Sequence, residues 1–249
     1  MINISFQSKR VANVSFDTGK DSNLLSFAQM RSLTKVANEL KSNNELSAVI
    51  LTGNIKKNFS FGFDLRDKEL KKLNNSNQSV KRNYFLIGKE MCDAWESLPF
   101  LTICVINGWC VGGGLALAVS LDLRVASSSS KFYVPEIERG FNMSWGSIPR
   151  LNALVGPAKT KRLVLLAEQL NSFTAHSWGL IDYYFDSNAL MESAMELCNK
   201  ASKMPRLPFV LTKESINNHS NILNKIGSYA DQDGFALAYS ELEKNLYQK

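Results

Sequence analysis

Histidine is almost missing from this sequence of 249 residues, which contains only His176 and His219. Chemistry that needs several histidines, as metal ligands or as proton carriers, is therefore nearly excluded. The four cysteines are Cys92, Cys104, Cys110 and Cys198. They form no CxxC pair and none of the spacings of a zinc site, so we expect reduced thiols in the core of a cytosolic protein, and no bound metal.

Long apolar runs are missing too. No segment approaches the roughly 20 apolar residues that cross a bilayer, and the first residues lack the basic and apolar segments of a secretory leader. We therefore predict a cytoplasmic protein with no membrane partner. No basic run alternates with aromatic residues, so no nucleic-acid partner is expected. The net charge of +6 suits an acidic ligand such as a nucleotide or phosphorylated cofactor, but it equally fits a general surface bias.

The remaining composition is typical of a soluble globular protein, with 45% hydrophobic and 21% charged residues. Apolar and β-branched runs predict strands at residues 2–7, 11–16, 47–52, 102–106, 123–126 and 132–134. Apolar residues at three- and four-residue intervals predict helices at 26–41 and 82–98, and the charged, Asn-rich stretch 66–81 between them is predicted to be exposed. Further helices are predicted from 115 onward and at 157–168, 172–178, 188–203, 207–219 and 230–247.

A glycine-rich stretch organises the middle of the chain. The predicted strand 102–106 is followed by Asn107 and Gly108, and then by three consecutive glycines, Gly112, Gly113 and Gly114, before the next helix. Glycine lets another group approach the backbone closely, and the first N–H groups of a helix have no partner within it and favour negative charge. The stretch therefore predicts an anion or oxyanion site made of backbone N–H groups; tight packing of the helix on the sheet is the alternative.

Five segments, taken together and in this order, resemble those of one family. They are Phe59-Ser-Phe-Gly-Phe-Asp-Leu65, Asn107-Gly-Trp-Cys-Val-Gly-Gly-Gly114, Leu121-Asp-Leu-Arg-Val-Ala126, Phe132-Tyr-Val-Pro-Glu-Ile-Glu-Arg-Gly140 and Trp178-Gly-Leu-Ile-Asp182. The sequence resembles the crotonase superfamily, the enoyl-CoA hydratase/isomerase proteins. The resemblance implies an α/β fold: a crotonase-like spiral of ββα units over residues 1–187, and a C-terminal helical cap or assembly region over 188–249. It also implies homotrimers or dimers of trimers (hexamers).

The resemblance implies an acyl-CoA thioester substrate, with coenzyme A as part of the substrate and no separate cofactor. In the family, two backbone N–H groups hold the thioester carbonyl oxygen as it becomes enolate-like. By position these belong to Phe63, which follows Gly62, and to Gly113, which follows Gly112. Family members usually have a small residue where Phe63 stands, so its large side chain is a departure. Phe61 is expected near the substrate, with packing against neighbouring helices as the alternative.

The resemblance places the catalytic acid/base at Glu136. The first glutamate of the family's hydratases falls on Ala116, which cannot transfer a proton, and the aspartate of dienoyl-CoA isomerases and dehalogenating members falls on Ser144. Met143, Ser144 and Trp145 are expected to line an apolar acyl pocket, although Trp145 equally suits the core.

Four residues in two loops are expected to contact the substrate or its coenzyme A portion. They are Lys20, Asn23 and Leu25, before the first predicted helix, and Asp64, in the segment 59–65. For a lysine such as Lys20, a solvated surface position is the alternative.

These residues predict an enzyme that stabilises a thioester enolate with one glutamate acid/base, either isomerase- or hydratase-like. One alternative is an enolate-forming decarboxylase or C–C bond synthase. Another is a pseudo-enzyme that binds coenzyme A without turnover, which the missing glutamate at Ala116 favours and the presence of Glu136 and both glycine loops opposes.

Overall fold

The N-terminal hairpin starts the larger of two sheets. A computed structural model describes residues 2–73, 76–222 and 224–247. The strands are β1 (Ile2–Ser8), β2 (Val11–Phe16), β3 (Ala48–Thr52), β4 (Leu101–Ile106), β5 (Trp109–Val111), β6 (Leu123–Ser127), β7 (Lys131–Tyr133), β8 (Leu170–Asn171) and β9 (Tyr183–Phe185). The helices are α1 (Phe27–Lys41), α2 (Lys68–Leu73), α3 (Gln78–Glu96), α4 (Gly113–Ala118), α5 (Ser147–Leu165), α6 (Ser172–Trp178), α7 (Leu190–Ser202), α8 (Arg206–Ser220), α9 (Asn224–Gly227) and α10 (Asp231–Tyr247).

Two sheets organise these elements. The larger has the strand order β1-β2-β3-β4-β6-β9, in which β1 and β2 are antiparallel and all the other neighbours are parallel. The smaller has the order β5-β7-β8. Strand β3 is buried along its whole length, as expected for a parallel strand covered on both faces. The α/β prediction is confirmed.

Alternate side chains of the large sheet enter two separate cores. On one face, β-strand residues such as Ile50 and Val105 pack with Leu190, Ala194 and Cys198 of α7. On the other face, the sheet packs against α1, α3 and α4. Helix α4 begins within the glycine-rich stretch. The predicted boundary near residue 187 stays a prediction; α7, just beyond it, covers one face of the sheet.

The acidic residues of two recognised segments are structural. The Arg124 guanidinium is buried and donates to Asp182 Oδ2 at 2.8 Å, which ties β6 to the start of β9. Asp122 Oδ2 accepts from the backbone N–H of Thr102 and from the Lys213 ammonium. Because buried charges need partners, Asp182 compensates the charge of Arg124 and Asp122 that of Lys213.

The structure corrects several boundaries. Stretch 66–81 was predicted to be exposed, yet it contains α2 and the start of α3, and both Leu70 and Leu73 are buried; residues 74–75 lie outside the described part. The helix predicted at 157–168 already starts at Ser147 and is interrupted at Gly156, whose φ is +78°. Strands β5, β8 and β9 were missed because runs of two or three residues are too short to show a period.

Burial explains why the thiols are chemically quiet. All four cysteines are free and buried, in agreement with the prediction. Burial raises the pKa of the Cys92 thiol to about 12, so little thiolate forms at neutral pH. Within the described ranges, no three His, Cys, Asp or Glu side chains cluster as metal ligands, and no helix there has the length and apolar character needed to cross a bilayer.

Candidate active site

The loop that carries Phe63 runs beside the short strand β5. The Ser60 N–H donates to the Trp109 carbonyl, and the Val111 N–H donates to the Ser60 carbonyl at 2.8 Å, so that Ser60 pairs with Cys110 in parallel. Gly112 then bonds to β7, since its N–H donates to the Tyr133 carbonyl at 2.8 Å. These bonds bring the loop of Gly62 and the loop of Gly112 together, although some 50 residues separate them in the chain.

The backbone nitrogens of Phe63 and Gly113 lie close together. Leu25 donates to the Gly62 carbonyl and accepts from the Asp64 N–H, so it bonds the residues on either side of Phe63. Because backbone groups alternate in direction along extended chain, the Phe63 N–H points away from Leu25. A Cβ placed on Gly113 would lie 3.3 Å from the Phe63 nitrogen. In the described part of the chain, neither N–H donates to a backbone carbonyl.

Glycine is required at the point where this pair meets Glu136. Gly112 has φ +51° and ψ −118°, a conformation that other residues avoid. A Cβ on Gly112 would lie only 2.3 Å from Glu136 Oε1. The carboxylate therefore touches the backbone of the residue that precedes Gly113, beside the two N–H groups. The structure brings Phe63, Gly112, Gly113 and Glu136 together.

The Glu136 carboxyl is held in a partly apolar environment. Its backbone starts a 3-10 turn (Ile137–Arg139) and its carbonyl accepts from the N–H groups of Arg139 and Phe141. The residue as a whole is partly exposed, yet its Oε2 atom is buried, with no hydrogen-bond partner among the described residues. Loss of hydration raises the pKa of this carboxyl to about 7, and the charge of Arg139 opposes the shift. A carboxyl with this pKa exchanges protons readily near neutral pH.

We expect Glu136→Gln to stabilise the fold at pH 8 and to have little effect on stability at pH 4. A carboxyl whose folded pKa lies above its unfolded value of 4.5 costs stability as pH rises through that window, and the cost is complete above pH 7. Glutamine never carries the charge, so the gain in unfolding free energy at pH 8 is up to about 3 kcal/mol. Thermal unfolding of both proteins at the two pH values measures it; an equal Tm difference at both values would contradict the buried-carboxyl interpretation.

Apolar side chains form the rest of the site. They surround a cavity of about 50 Å³ beside Gly113 and Glu136. Its described lining includes Phe27, Met30, Phe61, Phe63, Leu65, Tyr84, Phe85, Gly88, Ala116, Pro135, Arg139, Phe141, Met143, Ser144, Trp145 and Phe235. Glu136 is the single carboxylate of this set. Ala116, at the position of the first glutamate of the family's hydratases, is buried and forms an apolar part of the cavity wall.

Of the predicted acyl-pocket residues, Met143, Ser144 and Trp145 all face the cavity. Trp145 faces the cavity and is also buried. Phe61 lies at the cavity and also packs against Trp109, with ring centroids 6.1 Å apart.

The predicted coenzyme A contacts are placed differently. Asn23 is fully buried; its amide donates to the carbonyls of Phe16 and Phe59 and its Oδ1 accepts from the Thr18 N–H. Leu25 is fully buried as well. The Asn23 side chain and the Leu25 backbone therefore hold the Phe63 loop in place, and their predicted substrate contact stays a prediction.

Asp64 also has a structural contact, because its Oδ1 accepts from the Arg66 N–H at 3.0 Å within the turn that follows Phe63. The Lys20 side chain is exposed, and its predicted role stays a prediction.

Arg139 and Phe235 are among the lining residues that the sequence did not predict, and they were missed for different reasons. Arg139 stands inside the recognised Pro135–Gly140 segment, so its position three residues after Glu136 was a usable signal. Phe235 comes from α10, far along the chain, and stacks on Phe141 with centroids 4.8 Å apart. Its sequence neighbours show only helical periodicity, which does not reveal which cavity a helix covers.

Comparison with known proteins shows the family of this chain. Residues 7–245 match the family described as enoyl-CoA hydratase/isomerase. The short-chain-enoyl-CoA hydratase of Clostridium acetobutylicum is 31% identical over 208 residues, covering 84% of this chain and 78% of that protein. An enoyl-CoA hydratase from Bacillus anthracis superposes with a TM-score of 0.80 at 25% identity, covering 92% of this chain and 90% of its own. An enoyl-CoA hydratase from Bacillus halodurans reaches a TM-score of 0.88 at 19% identity, covering 100% and 99% of the two chains, which supports the fold. The chain therefore belongs to the enoyl-CoA hydratase/isomerase family of the crotonase superfamily.

Proposed function

We propose that this protein isomerises enoyl-CoA thioesters by moving one proton with Glu136. The observation that carries the proposal is a single carboxylate with a buried, unpartnered oxygen beside two backbone N–H groups that donate to no carbonyl in the described chain. One acid/base and an oxyanion site are the requirements of a proton shuttle next to a thioester.

The reaction follows from this arrangement. The thioester oxygen accepts hydrogen bonds from Phe63 N–H and Gly113 N–H, while ionised Glu136 removes a proton from Cα of a 3-enoyl chain. The electron pair moves onto the oxygen, and the two N–H groups stabilise the dienolate that forms. Glu136, now protonated, returns the proton to Cγ, which leaves the double bond between Cα and Cβ. No proton is gained or lost overall, and Glu136 ends ionised.

Hydration is the second candidate, because the Clostridium acetobutylicum relative is a hydratase. The two-glutamate route divides proton removal from water and proton delivery to carbon between two carboxyl groups. Here Ala116 occupies the place of one of them, so a one-glutamate hydratase must use Glu136 for both steps. In isomerisation the same carboxyl group first removes one proton and then returns it, so one glutamate is enough. We therefore favour isomerisation.

The substrate proposal keeps coenzyme A as part of the substrate, with no separate cofactor. The exposed Lys20 and Lys56 suit its phosphates through charge. Assembly into trimers or dimers of trimers stays a prediction based on the family.

The test is a product assay with 3-enoyl-CoA, 2-enoyl-CoA and malonyl-type thioesters, separated by chromatography. We expect 3-enoyl-CoA to be converted to 2-enoyl-CoA faster than 3-hydroxyacyl-CoA accumulates from 2-enoyl-CoA. Faster hydration would overturn the isomerase proposal in favour of a hydratase. Loss of CO₂ from the malonyl-type thioester would support a decarboxylase. Binding without any turnover would identify a pseudo-enzyme.

A further inference from the structure

Trp145 is pressed between the two elements that form the wall of the cavity. A Cβ placed on Gly88 of α3 would lie 2.1 Å from its Cε2 atom, and one on Gly113 would lie 2.4 Å from its Cζ3 atom. The indole therefore occupies the space that side chains at both positions would need. It lies directly against the residue whose N–H faces the thioester oxygen in the proposed reaction.

The backbone at Trp145 is held in an unusual conformation by its surroundings. Its φ of +61° is rare for a bulky residue. The Trp145 carbonyl accepts from Arg150 Nη1 at 3.0 Å, and the next N–H, that of Gly146, donates to Asp231 Oδ2 at 2.9 Å. Arg150 is itself buried and paired with Glu96 at 2.8 Å. Strain that surrounding contacts maintain is typical of functional positions.

Other aromatic rings continue the wall that the indole starts. The Phe63 ring meets Trp145 edge to face at 6.2 Å between centroids and meets Phe235 at 6.5 Å. Asp231 and Phe235 both belong to α10, so the helix that anchors the Trp145 loop also covers the cavity. The remaining cavity of about 50 Å³ is small. Since one water needs roughly 10–15 Å³ on this scale, the space holds about four non-hydrogen atoms.

We infer that Trp145 limits the length of the acyl group, so that the substrate class is thioesters with acyl chains of about four carbons. This inference rests on the proposed function, since it assumes that the acyl group lies beside Gly113 and Glu136. A longer chain would need the space that the indole occupies between Gly88 and Gly113.

The experiment measures binding rather than turnover, by calorimetry with saturated butyryl-CoA and decanoyl-CoA. We expect the wild type to bind butyryl-CoA at least about tenfold more tightly than decanoyl-CoA. In Trp145→Ala and Trp145→Leu, decanoyl-CoA binding should strengthen by about tenfold or more, because the extra methylene groups then become buried. Trp178→Ala removes an indole that packs on Arg162 outside the cavity lining, and its preference should equal that of the wild type.

The outcomes separate the two proposals. Two results would overturn the role of Trp145 and leave the proposed acyl-CoA function standing. One is equal binding of both thioesters by the wild type. The other is an unchanged preference in a Trp145→Leu variant that still melts cooperatively. Binding of neither thioester by the wild type overturns the proposed acyl-CoA function, and the length limit with it. Selective binding without isomerisation keeps the length limit and overturns only the proposed reaction.

Discussion

Glu136→Gln lowers kcat/KM for enoyl-CoA isomerisation by about 10²–10⁴-fold, the usual contribution of a general acid/base. Glutamine keeps the shape of the side chain and its contact with Gly112, but it cannot accept the Cα proton. Because the pKa of Glu136 is raised to about 7 by loss of hydration, we also expect wild-type kcat/KM to rise with pH through that value. Stopped or continuous assays across pH 5–9 measure both effects.

Glu138→Gln is the matched control. It stands two residues away, is exposed, and accepts a hydrogen bond from the Tyr133 hydroxyl. We expect its activity and pH profile to follow the wild type. An equal loss in both variants, or a Glu136→Gln variant of normal activity, would remove Glu136 from the mechanism. The same Glu136→Gln protein should unfold at a higher temperature at pH 8, so a loss of activity caused by misfolding is recognised at once.

Gly62→Ala is expected to reduce kcat by about 10²–10³-fold, the range measured when one oxyanion donor is removed. Gly62 has φ +84°, and a Cβ there would lie 2.7 Å from the Val111 carbonyl oxygen and 2.9 Å from the Gly113 nitrogen. The methyl group would stand against one N–H of the pair and push the other, on Phe63, out of line. Steady-state kinetics with 3-enoyl-CoA measure the change, with KM expected to move less than kcat.

Gly156→Ala separates backbone strain from loss of the donor pair. Its φ is +78°, close to that of Gly62, but a Cβ there would meet no atom within 4 Å. Both substitutions therefore carry the strain of a positive φ, roughly 1–3 kcal/mol, whereas only Gly62→Ala reaches the site. Similar losses of kcat in the two variants would mean that the fold, and not the N–H pair, carries the effect.

The recognised segments differ in how well sequence predicted their roles. Glycine positions were informative because their reason is local: φ values of +51° at Gly112 and +84° at Gly62 exclude most other residues. Asn23 and Asp64 show the opposite case. Polar residues beside a glycine loop suit a ligand or the loop itself equally well, and here their polar atoms bond to neighbouring backbone groups.

By itself, the sequence determined the alternation of strands and helices, the two glycine loops and the glutamate beside Pro135, because hydrophobic periods, glycine conformations and motif order are properties of neighbouring residues. Only the tertiary structure decided how narrow the site is. Trp145 packs between Gly88 and Gly113, and Phe235 arrives from the last described helix. Those contacts join residues far apart in the chain, and the hydrophobic effect that drives them is not directional, so no local pattern in the sequence specifies which rings meet.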